Sequence, residues 1–288
     1  MKLKYILITL TWCILLGCPS TDVIDQGKVI PSEFYARSAF DTAKTLILIP
    51  LELEGEVKNF LFDTGATVTT VQRDSIFGDI VEVRGASNRV VKNGSETLDS
   101  LKFGDVTFLG TFATNENMIE LNDKIPNFGG VLGRTIINKA NWLINYPEKS
   151  VEIATKDLSD DSFTDIFLDP SHSAPITTVV VDGESYESII DLGSTSIFNV
   201  PDDTGLARLL LDNYVFEETE RERYTVGGTQ KITELIGVLP SIEIGELEFN
   251  DVMVNINQSS QIRVGMSMFT ECVIYIDNDN HKYRIKKE

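Results

Sequence analysis

Apolar residues along this chain fall in short runs, many of them β-branched, separated by Gly, Asn and Asp turns. That pattern predicts strands at residues 45–53, 60–62, 98–103 and 106–112, and again at 176–181, 189–190, 242–244 and 248–256. Helical periodicity is scarce. Residues 75–79, residues 204–213 and the segments after Gly133 and Gly265 are expected to form short helices. The expected fold class is all-β, mainly antiparallel, with a few short helices.

The two sets of strands repeat one another. Asp63-Thr64-Gly65-Ala66 closes the apolar run Phe60-Leu61-Phe62, and Asp191-Leu192-Gly193-Ser194-Thr195 closes Ile189-Ile190. A turn glycine, Gly55 or Gly183, stands eight residues before each aspartate. Later, Lys102-Phe103-Gly104-Asp105-Val106 matches Glu243-Ile244-Gly245-Glu246-Leu247, and each predicts a hairpin. Val131-Leu132-Gly133 opens a segment ending at Ile153, and Val264-Gly265 opens one ending at Ile285. Between these landmarks Trp142-Leu143-Ile144-Asn145 lies against Ile274-Tyr275-Ile276-Asp277, and Ala140 against Cys272. Ordinary β alternation explains the hairpins alone. It does not explain two Asp-x-Gly turns with ordered landmarks on both sides. A duplicated lobe does, and it brings two carboxylates to one site. The junction falls near residues 156–170, a stretch rich in Asp and Ser.

With 288 residues, the chain is long enough for two domains. A net charge of −19 argues against nucleic-acid binding, which needs a cationic face to displace counterions. The acidity reads as a contribution to solubility.

At the N-terminus, Lys2 and Lys4 precede a mostly apolar stretch, residues 5–16, too short to span a bilayer comfortably. Leu15-Leu16-Gly17-Cys18 then resembles the lipobox of bacterial lipoprotein signal peptides. The resemblance implies a signal peptide at 1–17, lipidation at Cys18 and a lipid-anchored, extracytoplasmic protein of the bacterial cell envelope. Residues 18–40 read as a tether, 41–157 as a first lobe and 158–288 as a second. Cys13 and Cys18 belong to the targeting segment, so only Cys272 remains in the body, expected as a buried inert thiol and not a nucleophile. His172 and His281, the only histidines, do not suggest a zinc site. No metal and no other cofactor is expected.

Around Asp63 and Asp191 the chain resembles aspartic peptidases of the pepsin and retropepsin type. The match rests on Asp63-Thr64-Gly65-Ala66, on Val131-Leu132-Gly133 as an apolar-apolar-Gly motif, and on weaker second copies at Asp191-Leu192-Gly193-Ser194 and Ile262-Arg263-Val264-Gly265. The likeness runs from about Thr45 to Ile285. It implies two pseudo-symmetric acid-protease-like β-barrel lobes on one chain, a monomer with Asp63 and Asp191 as the catalytic pair, and a peptide or protein substrate.

The residue types suit that chemistry. Two aspartates a few ångströms apart cannot both ionise cheaply, so they share one proton. The charged member takes a proton from water and the neutral member polarises the carbonyl. Gly65 and Gly193 allow tight turns whose N–H groups reach the carboxylates. The resemblance assigns Thr64 a hydroxyl link to the opposite loop, which Leu192 cannot return. It assigns Ser194 a bond to the outer oxygen of Asp191, with no equivalent at Ala66. Leu192 also leaves open an alternative, a peptidase-like lipoprotein that binds a peptide or protein partner without cutting it. Residues 83–98, with Gly85, Ser87, Asn88, Asn93 and Gly94 as turn formers, are the expected flap over the cleft, although they lack the tyrosine common near its tip. Residues 224–237 are its counterpart.

Overall fold

A computed structural model describes residues 21–84, 90–225 and 228–288 of the chain. The proposed signal segment and Cys18 lie outside them. The described residues are mostly β, with four short helices and one 3-10 turn. None of those helices is long and apolar enough to cross a membrane.

The strands leading to the two aspartates are set by matching hairpins. Leu46–Leu53 pairs with Glu56–Phe62 through Glu54 and Gly55, whose φ angles are 55° and 84°. Ile176–Val181 pairs with Glu184–Asp191 through Asp182 and Gly183, at 51° and 82°. Positive φ at both central residues marks the type I′ turn, whose twist matches that of the strands it joins. Such a turn also fixes register, and one slipped residue moves every side chain to the other face. In the register adopted, Phe60 and Phe62 enter the main core, whereas Leu61 faces a smaller cluster with Leu48, Met118, Ile125, Phe128 and Val131.

Three sheets result. In the first, the path runs Val106–Glu116, Thr69–Gln72, Phe128–Leu132, Glu56–Phe62, Leu46–Leu53 and Val90–Phe103, extended at the edges by Lys28–Ile30 and Ile80–Arg84, with Asp41–Ala43 beside Leu46–Leu53. Another runs Ile176–Val181, Glu184–Asp191, Arg263–Gly265, Phe198–Pro201, Leu247–Asn257, Gly228–Ile244 and Phe216–Thr225. Phe128–Leu132 lies parallel to the Asp63 strand and Arg263–Gly265 parallel to the Asp191 strand. The remaining sheet has six strands drawn from both halves of the chain: Thr164–Phe167, Lys282–Lys287, Cys272–Asp277, Asn141–Asn145, Ser150–Ala154 and Tyr35–Ala39. At its centre Leu143 stands opposite Tyr275 and Trp142 opposite Ile276. Trp142 is fully buried, edge-on to Phe62 with centroids 5.2 Å apart, and donates from Nε1 to the carbonyl of Ile137 at 2.8 Å. One contiguous core thus joins the six-stranded sheet to both others.

Most sequence expectations for the elements hold, with several differences. The expected tether at 18–40 is structured from residue 21 onward: Thr21–Asp25 is a short helix, Lys28–Ile30 pairs with Val106–Glu116 and Tyr35–Ala39 with Ser150–Ala154. These exposed-edge strands alternate without a strong apolar run, so their order comes from their partners. The strand expected at 60–62 starts at Glu56, because the hairpin draws its polar first half into the ladder. Residues 75–79 form bends and not a helix. There the Asn115 side chain accepts from the Phe77 N–H at 3.0 Å and donates to its carbonyl at 3.1 Å, taking the groups a helix would use. Asn93 and Gly94, read as turn formers, lie inside strand Val90–Phe103. Gly94 is needed for close approach, since a Cβ there would stand 1.9 Å from the Phe77 carbonyl oxygen. The flap segment is a hairpin of Ile80–Arg84 with Val90–Phe103, and Gly85, Ser87 and Asn88 lie outside the described residues. Its counterpart is the hairpin of Phe216–Thr225 with Gly228–Ile244.

Cys272 is buried and free, and burial pushes its thiol up to about 11, so little thiolate forms at neutral pH.

Candidate active site

Each aspartate ends a buried strand and turns at once into a loop held by its neighbour. Asp63 donates its backbone N–H to the Leu132 carbonyl at 3.0 Å. The N–H of Arg134 reaches the Ala66 carbonyl at 2.9 Å, and the N–H of Met266 reaches that of Ser194 at 2.8 Å. Gly133 and Gly265 permit this packing: a Cβ on either would lie within 2.5 Å of a carbonyl oxygen of the loop above, Val68 or Ser196.

These loops bring the two carboxyl groups within hydrogen-bond reach of each other. The loop glycines give the tightest measure. A Cβ on Gly65 would lie 2.7 Å from Cγ of Asp191, and one on Gly193 would lie 2.2 Å from Cγ of Asp63. Each carboxylate is therefore packed flat against the opposite glycine, and no larger residue fits at either position. Oδ1 of Asp63 accepts from the N–H groups of Gly65 and Ala66, both at 2.9 Å, and Oδ1 of Asp191 from Gly193 N–H at 3.0 Å.

Thr64 crosses between the loops. Its hydroxyl donates to the Ile190 carbonyl at 2.7 Å and accepts from the Leu192 N–H at 3.0 Å. The Leu192 side chain returns no bond. It is fully buried in the main core instead. The Tyr283 hydroxyl, brought from the six-stranded sheet, is a further polar group beside Thr64. Ser194 does not take the place expected for it. Its hydroxyl pairs instead with that of Ser196 at 2.8 Å.

The outer oxygen of Asp191 is taken by Arg263, whose Nε lies 2.7 Å from Oδ2, with both side chains about nine-tenths buried. The N–H is not aligned for a hydrogen bond, so the contact is chiefly charge on charge. Arg263 pairs with Ile189, two residues before Asp191, as Val131 pairs with Leu61, two residues before Asp63, so a cation occupies an otherwise apolar strand position. Sequence reasoning passed over that signal. Arg134, also buried, donates to Thr67 Oγ1 at 2.8 Å and Ser173 Oγ at 2.9 Å.

Burial, then the Asp191 charge, raise the pKa of Asp63 well above the ordinary 3.8. A group raised on folding contributes stability that is complete below its ordinary pKa and is lost as pH rises through its folded one. The loss amounts to about 1.4 kcal/mol per pH unit in that window. Urea titrations of wild type and Asp63→Asn from pH 3 to 8 are expected to diverge above about pH 4, the variant becoming relatively more stable. A pH-independent difference would contradict a raised Asp63.

No protein-family model matches this chain, and no curated protein matches it. The site is therefore read from its own geometry. Among the described residues no three His, Cys, Asp or Glu side chains converge as a metal site. A cavity of about 400 Å³ lined by Lys28, Phe34, Lys139 and Asp279 lies away from both aspartates.

Proposed function

We propose that this chain is an aspartic endopeptidase of the pepsin and retropepsin type. The observation that carries the reading is the contact of two aspartates, each fed by amides of its own Asp-x-Gly loop and each pressed on the glycine of the other. In the proposed reaction the ionised member removes a proton from water as the new C–O bond forms. The protonated member gives its hydrogen to the substrate carbonyl oxygen. On collapse of the tetrahedral intermediate the C–N bond breaks. The proton taken from water passes to the leaving nitrogen, and a hydroxyl proton returns to the other aspartate.

The finer architecture belongs to the same proposal. The matching order of strands in the seven- and nine-stranded sheets supports two pseudo-symmetric lobes. So does the central pair, where Leu143 faces its repeat counterpart Tyr275. The lobes meet near 158, and the substrate is an extended peptide or protein lying between them. Leu15-Leu16-Gly17-Cys18 supports a lipid anchor on the extracytoplasmic side of a bacterial envelope, and the presence of both aspartates on one chain supports a monomer.

A peptide-library digest across pH tests the activity. Cleavage blocked by a hydroxyl-bearing transition-state mimic of the pepstatin kind is the expected result. The Arg263 contact and Leu192 favour one second reading, a protein that holds a peptide without cutting it. Tight peptide binding with every library member intact would establish that reading in place of the first.

A further inference from the structure

Two equivalent aspartates leave the position of a shared proton undecided. Here they are not equivalent. Arg263 is in ion-pair contact with one carboxylate only, at 2.7 Å from Asp191 Oδ2, and acts on Asp63 through space alone; its side chain is as deeply buried as that of its partner. Asp63 has two loop amides on its Oδ1 but no cation in ion-pair contact. A buried ion pair favours the charged form of its acid far more than an exposed pair does, because little solvent screens it.

We propose that Arg263 is a positioning residue that holds Asp191 as the ionised member of the pair and leaves the shared proton on Asp63. This rests on the peptidase reading and gives the two aspartates separate roles within it: Asp191 takes the proton from water, and Asp63 donates to the carbonyl oxygen.

The other charged or titratable groups facing the pair do not undo this asymmetry. Arg134, on the short helix Arg134–Ile137, acts on Asp63 only through space, its bonds going to Thr67 and Ser173. Tyr283, from strand Lys282–Lys287, stays protonated, because burial raises its pKa. Thr64 is neutral, and its hydroxyl is engaged with Ile190 and Leu192.

The test is a carboxyl-carbon NMR titration of the full chain, with the aspartates ¹³C-labelled and assigned through Asp63→Asn and Asp191→Asn. In wild type the last proton of the pair is expected to leave Asp63. Arg263→Met keeps an unbranched apolar stem in place of the arginine's aliphatic part and removes the charge. It is expected to raise the lower transition of the pair by about one pH unit or more, a tenfold change in proton concentration. Arg263→Lys, which keeps a cation, is expected to bring the lower transition most of the way back to its wild-type position. Loss of the last proton from Asp191 in wild type would overturn the proposal even if the Met variant failed to fold. An unshifted lower transition in a folded Met variant would overturn it too. The titration reads out without substrate. Absence of peptide cleavage would therefore count against the peptidase reading and leave the proton's place separately decided.

Discussion

Asp63→Asn and Asp191→Asn are each expected to lower peptide cleavage by at least about 10²–10⁴-fold, the usual contribution of a positioned acid or base. An amide is nearly the same size as a carboxyl group, and the loop N–H groups at 2.9–3.0 Å can still meet its oxygen. Folding is therefore preserved in Asp63→Asn, whereas Asp191→Asn also leaves the buried Arg263 without its ion partner and is expected to fold with lower stability; proton transfer is lost in both. Neither variant replaces the other, because the pair acts as a unit, and the double variant should be hardly worse than either single one. Steady-state cleavage of one library-selected peptide, with circular dichroism as the control for folding, checks this. Retention of full activity in either variant would remove the mechanism.

The second large effect is expected at Thr64. Its hydroxyl satisfies two buried backbone groups of the opposite loop, the Ile190 carbonyl and the Leu192 N–H. Thr64→Val keeps the shape and deletes both bonds. Each buried group left without a partner costs about 1–3 kcal/mol, so a loss of about 2–6 kcal/mol is expected. Leu192 offers no reciprocal link that would soften the loss. Thr64→Ser keeps the hydroxyl and is expected to recover most of the stability. Urea unfolding of the three proteins reads the difference directly. A Val variant within about 0.5 kcal/mol of wild type, the range of an ordinary surface substitution, would mean that the two loops are held together by packing alone.

These expectations place the chemistry at a junction of distant strands, which explains what was legible in the chain and what was not. The local pattern was sufficient for the hairpins. Gly55 and Asp182-Gly183 carry the residues a type I′ turn prefers, and the apolar alternation beyond them can be buried on one side in only one register. The short helices after Gly133 and Gly265 follow from the same local signals. Local pattern failed where a partner overrules propensity. Asn115 unmade the helix expected at 75–79, and neighbouring ladders ordered part of the expected tether.

By itself, the sequence determined that the protein is mostly β, that two Asp-x-Gly turns close similar apolar runs, and that Asp63 and Asp191 are the residues to watch. Turn chemistry and side-chain alternation are short-range properties, and short-range order is written residue by residue. Only the tertiary structure decided how the pair is surrounded. It turned Ser194 toward Ser196, sank Leu192 into the core, brought Tyr283 beside Thr64, and set Arg263 on one aspartate alone. Those contacts join residues far apart in the chain, and their geometry depends on how whole strands pack. No local pattern carries that information, because a buried charge is defined by what encloses it.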